Sequence, residues 1–161
     1  MAIAITDVRI EDVGPMPQAF DIERATNRNG DYRSVAWSGR YLQVTLMSIP
    51  VDGDIGLEAH PETDQFLRIE SGKGRVQMGA DKDWLTFDEQ VDAGWCVLVP
   101  AGTWHNITNI GDTPMQVYTI YAPVHHAPGK VQATAADAMA DTHDEPPAWS
   151  VQPAHAPDKH G

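Results

Sequence analysis

The chain has 161 residues, enough for one domain with a single buried core, and its 42% apolar content predicts a folded globule rather than a disordered chain. A formal net charge of −12 argues against nucleic acid or an anionic membrane as the main partner, since both demand basic surfaces. It leaves room for a small acidic ligand, which responds to local groups rather than to the total. The one cysteine, Cys96, excludes an intrachain disulfide, and within W-C-V-L-V it reads as a small buried hydrophobe rather than a reactive thiol. No apolar stretch reaches about eighteen residues and no basic-then-apolar leader opens the chain, so a cytoplasmic location is expected.

Taken in order, residues 1–30 show no sustained period. Val8 and Ile10 suit a short edge strand, Pro15 and Pro17 break any regular element after it, and Asn27 to Asp31 is a turn signal. These residues read as an N-terminal arm. From Tyr32 the pattern is β: S-V-A-W-S, then Y-L-Q-V-T-L-M-S-I up to Pro50. Further strand-sized runs are I-G-L-E-A-H, Q-F-L-R-I-E, R-V-Q-M, W-L-T-F, W-C-V-L-V, H-N-I-T and M-Q-V-Y-T-I-Y-A, separated by glycine-, proline- and aspartate-rich turns. Short strands at this spacing, with no helical pattern between them, predict an all-β antiparallel sandwich or barrel over residues 31–123. Residues 124–161 then form a loop at His125-His126, a short helix starting at Thr134 and ending near Asp141, and an extended or mobile tail from Asp144.

Four side chains in the β region can ligate a metal. In a strand, residues two apart face the same way, so Glu58 and His60 share a face. If the turn at Pro61 to Asp64 reverses the chain, Gln65 returns to that face, with Leu67 and Ile69 lining the barrel and Phe66, Arg68 and Glu70 outside. His105 comes after the turn Pro100-Ala101-Gly102 and opens the next strand. Two imidazoles, a carboxylate and an amide suit one divalent transition metal, Fe, Mn, Ni, Co or Zn, and the absence of a thiolate gives no selection for Cu(I). A buried polar network without metal is the alternative use of such a cluster.

The second of these stretches carries the pattern G-x5-P-x-G-x2-H-x3-N at Gly94, Pro100, Gly102, His105 and Asn109. In that it resembles the second motif of the cupin superfamily. The first motif of that family, G-x5-H-x-H-x3,4-E-x6-G, is matched less closely: Glu58 stands at its first histidine, Gln65 at its glutamate, and Gly72 closes it. The resemblance covers roughly residues 38–122. It implies a single double-stranded β-helix, or jelly-roll barrel, with one divalent metal inside, and pairing of two barrels through an outer sheet face as a homodimer.

Around the ligands, His125, His126 and Tyr121 are candidate catalytic groups. Either histidine could fold over the barrel mouth as an acid or base, although a solvated loop pair is the commoner arrangement. Gln43, Thr45 and Met47 alternate with Leu42, Val44 and Leu46, and either set suits the interior. Trp37, Trp84, Trp95 and Trp104 are expected to pack in the barrel or at an interface, and His143, His155 and His160 to be solvated. Such a site implies a small-molecule substrate or ligand. The leading expectation is metal-dependent isomerase or lyase chemistry on an oxygen-rich sugar- or keto-acid-like molecule. A non-haem Fe(II) dioxygenase and a non-catalytic ligand-binding module are the alternatives. Few basic residues lie near the motifs, which weighs against a phosphorylated sugar.

Overall fold

A computed structural model of the chain describes residues 9–151. In chain order the elements are α1 (Ile22–Arg28), β1 (Arg33–Ser38), β2 (Gln43–Ile49), β3 (Asp64–Ser71), β4 (Lys73–Gly79), β5 (Phe87–Asp92), β6 (Cys96–Val99), β7 (Trp104–Asn109), β8 (Met115–Ala122), β9 (Val131–Gln132) and α2 (Ala135–Ala140). They form two antiparallel sheets, one in the order β6-β3-β8-β2-β1-β9 and one in the order β5-β4-β7. The fold is the expected all-β jelly roll with a short C-terminal helix.

Registers across the larger sheet explain where polar chemistry can sit. Directly paired residues face the same way. Gln43, Tyr121, Gln65 and Val99 therefore form one interior row. Thr45, Thr119, Leu67 and Val97 form the next, and Met47, Val117 and Ile69 the one after. The rows grade from polar at one end of the barrel to apolar at the other. Leu67, Ile69, Met115 and Val117 are fully enclosed with Val76 and Ile107 of the smaller sheet. Each such side chain contributes about 1.5–3 kcal/mol by leaving water. Leu67 and Ile69 line the barrel as their alternation predicts, and the interior set on β2 is Gln43, Thr45 and Met47.

The differences from the sequence reading have local causes. Residues 53–58 lie beside β7 but touch it only at isolated bridges, Asp54 to Thr108 and Glu58 to His105, not as the expected strand I-G-L-E-A-H. Gly56 sits between them at φ 84°, a left-handed conformation that interrupts a ladder. The strand near W-L-T-F falls later, at β5, whose F-D-E-Q-V-D buries only Val91 and so carries almost no hydrophobic period. The short helix α1 was not anticipated; Asp21 caps it by accepting from the Arg24 amide, and only Thr26 of its seven residues is buried. Ile10 is not in a strand, and Val8 lies outside the described residues. α2 forms where expected, with Thr134 and Asp137 in a reciprocal capping box.

Three exposure expectations are corrected. Cys96 is exposed, because it starts edge strand β6 with its side chain outward. Trp84 and Trp95 are exposed on this chain rather than packed in the barrel, since each closes a turn at a strand end. The segment from Asp144 is fastened rather than loose as far as Val151: the Asp144 carboxylate accepts from the Ala127 amide and pairs with His126, and the Val151 amide donates to Arg40 O. His143 is exposed, while His155 and His160 lie outside the described residues. Among the described residues, no helix is long and apolar enough to cross a membrane.

Candidate metal centre

The structure brings Glu58, His60 and His105 together, each offering a ligand atom within 4.8 Å of the others. His105 is placed by β7, whose entry turn uses Gly102 at φ 79°, where a side chain would strain the backbone. The Gly102 amide donates to His60 O at 2.8 Å, so the turn that delivers one histidine also fixes the other. Glu58 is held by a reciprocal pair of backbone bonds with His105, at 3.1 and 2.9 Å. Gln65 enters from β3 in the same interior row as Tyr121.

Tautomer and burial set the electrostatic character of these groups. His105 Nδ1 lies 2.9 Å from Thr103 O, so Nδ1 carries the hydrogen and Nε2 keeps its lone pair. His60 and His105 are 7% and 1% exposed, and in each the Nε2 atom is buried with no hydrogen-bond partner. The same is true of Gln65 Oε1. Glu58 Oε1 stands 3.3 Å from His60 Nε2 and 3.8 Å from His105 Nε2, close in charge but not directed as a hydrogen bond to either. Burial works to raise the Glu58 carboxyl, but His60, His105 and Arg33 offset it and hold the group below the usual carboxylate value. Burial keeps His105 below the ordinary histidine value, hence neutral and able to donate electrons. Buried polar atoms left without partners in this way are costly unless something satisfies them. A divalent transition metal fits that N- and O-donor set.

His125 and His126 are not a solvated pair. The side-chain amide of Gln43 clamps their backbone: its Oε1 accepts from both amides at 3.3 and 2.8 Å, and its Nε2 donates to His126 O at 2.8 Å. The His125 ring is thereby packed 4.2 Å from His60 and 5.4 Å from Tyr121, centroid to centroid. Burial, with the neighbouring His126 and His60, lowers His125 to about 3, so it is neutral at ordinary pH. His126 is 5% exposed; its Nδ1 meets Asp144 Oδ2 at 2.6 Å, and its Nε2 is buried without a partner. Burial also lowers His126 and raises the Tyr121 hydroxyl. The candidate residues therefore occupy one end of the barrel together. Arg33 and Asp144 join them and were not singled out from sequence. The parity of Arg33 with interior Val35 was the available signal for the first. Asp144 had none. A surface cleft of about 510 Å³, lined by residues including Arg28, Ser34 and Leu46, lies apart from this cluster.

A jelly-roll barrel with two histidines and a carboxylate converging at its polar end defines the class. The family comparison agrees: residues 45–121 match the cupin domain. The protein YrkC of Bacillus subtilis (strain 168) is 51% identical over 131 residues, covering 81% of this chain and 70% of its own. The protein L612 of Acanthamoeba polyphaga mimivirus is 38% identical over 112 residues, covering 69% of this chain and 68% of its own. The crystal structure of BH2720 from Bacillus halodurans superposes with a TM-score of 0.81 at 52% identity, covering 82% of this chain and all of that one. The chain belongs to the cupin family.

Proposed function

We propose that this cupin is a metal-dependent enzyme that moves a proton on a small oxygen-rich substrate. His60, His105, Glu58 and Gln65 would hold one divalent transition metal. The observation that carries the reading is the cluster of Glu58, His60 and His105, with His60 Nε2 and His105 Nε2 buried and partnerless; Gln65 Oε1, also buried without a partner, enters from the interior row it shares with Tyr121. Bound there, a metal supplies Lewis-acid polarisation of a substrate carbonyl. The remaining work belongs to the chain. His125, packed against His60, is the group placed to accept a proton from the substrate carbon beside that carbonyl, leaving an enolate, and to return it to the same or the neighbouring carbon. Tyr121, kept protonated by burial, donates a hydrogen bond to a substrate oxygen. Gln43 holds the 125–126 backbone in place, and the segment ending at Val151 closes the site against water.

The test is deuterium uptake from heavy water into a panel of small hydroxy-ketones and keto acids, monitored by NMR on protein loaded with zinc, nickel or manganese. Exchange that is lost in His125→Asn with metal retained supports the reading. Exchange undiminished in that variant removes His125 from the role. The trio Glu58, His60 and His105 also favours a second reading, a non-haem Fe(II) oxygenase, because two histidines and one carboxylate are that class's ligand set. Substrate-dependent oxygen uptake with iron alone decides for it. Pairing into a homodimer is supported by exposed Leu98 on edge strand β6.

A further inference from the structure

We propose that Arg33 forms an anion subsite beside this cluster and holds the carboxylate of a small keto or hydroxy acid. The inference rests on the catalytic reading above and names the substrate class of the same site. Arg33 opens β1, where it pairs with Met47 on one side and Gln132 on the other. Met47 belongs to an interior row, so the guanidinium enters the barrel rather than the solvent. Arg33 is 8% exposed, which is rare for arginine without a partner of opposite charge. Its Nη1 donates to Gln132 Oε1 at 2.8 Å, while its Nε is buried with no hydrogen-bond partner. No carboxylate among the described residues lies within ion-pair distance of it; Gln132 relays instead to Asp141 Oδ2 at 3.0 Å. Its other neighbours are neutral, the Tyr32 ring 5.4 Å from Cζ and the Tyr121 hydroxyl, so no anion in contact balances the buried charge, and an incoming one relieves that cost.

The guanidinium is near the cluster: its positive charge acts on Glu58, Tyr121, His126 and Asp144 alike. An acid bound through Arg33 would present its adjacent carbonyl or hydroxyl toward Glu58, His60 and His105. A carboxylate fits better than a phosphate for two reasons. The planar fork of arginine matches a carboxylate with two parallel bonds. Arg33 is also the one basic side chain named among the main influences on these groups, so the second charge of a phosphate dianion would be poorly compensated.

Metal-free protein is titrated with acetate, pyruvate, lactate, oxalate and inorganic phosphate by calorimetry, beside pyruvamide and lactamide as neutral counterparts. At least one acid is expected to bind, with affinity about tenfold or more weaker for its amide and for Arg33→Gln. If that variant does not fold, the wild-type protein still decides: the Arg33 Nε–H signal in NMR must shift with the acid and stay put with the amide. Failure of every acid to bind, equal binding by Arg33→Gln, an unmoved Arg33 signal, or tighter binding of phosphate overturns the proposal. Metal content, measured separately on the wild type, tests the catalytic reading without touching this one.

Discussion

His105 is aimed by a backbone carbonyl two residues before it, and His60 by an amide of the turn that delivers His105; His126 is aimed by a carboxylate eighteen residues further along the chain. The Glu58, His60 and His105 ring is thus held by backbone hydrogen bonds, several of which join the two motif stretches to each other. The roof over it is built from side chains of distant segments: Gln43 clamping residues 125 and 126, and Asp144 pairing with His126. The first kind of support survives loss of any one side chain outside the motifs. The second fails when one carboxylate is removed.

Removing that carboxylate is the largest test of the contrast. Asp144→Ala strands the His126 Nδ1 hydrogen and the Ala127 amide, and should cost about 1–3 kcal/mol in urea unfolding with metal content unchanged. Metal lost along with stability would show that roof and ring are one unit.

Acid should weaken the roof next. His125 and His126, together with His105 of the cluster when no metal is bound, have folded values below the ordinary 6.5, so the unfolded chain takes up protons first as pH falls through 6.5. Stability of the metal-free protein should therefore drop with acidification below about pH 6.5, by no more than about 1.4 kcal/mol per pH unit for each histidine. Flat stability from pH 7 to 5 would mean that none of the three rings is buried as described.

Gly102→Ala probes the ring instead. It meets no steric obstacle but forces a side chain onto φ 79°, costing about 1 kcal/mol and loosening the Gly102 amide bond to His60 O. Weakened metal binding with the His126–Asp144 pair intact by NMR is the expected result. Trp84→Ser, on a side chain 74% exposed and remote from both supports, should stay within about 0.5 kcal/mol of wild type by thermal unfolding.

Legibility divides along the same line. Gly94, Pro100, Gly102, His105 and Asn109 fall within one sixteen-residue stretch, in turns and at strand ends, so their spacing announces both the fold and His105, even though their bonds tie that stretch to distant chain. Asn109, for example, ties its own loop by donating to Thr113 O and to Ile49 O. Gln65 and Tyr121 could be placed by strand alternation. The approach of Glu58 to His60 could be foreseen, though not its means, because Gly56 replaces the expected strand with two bridges. Strand β5 was hidden by its acidic, exposed composition, and α1 by being only seven residues long. Arg33, Gln132 and Asp144 lie outside the span that resembles the family. Their convergence depends on β9 joining the edge of β1, a pairing of two residues with no periodic signal.

Elemental analysis of untagged protein after exposure to zinc, nickel, manganese, cobalt and anaerobic iron(II) tests the central claim most directly. About one tightly held ion per chain is expected in the wild type, falling to background in His60→Ala and in His105→Ala, with the fold retained by circular dichroism. Wild-type protein that takes up no ion from this set, or variants that keep their full complement, would contradict it.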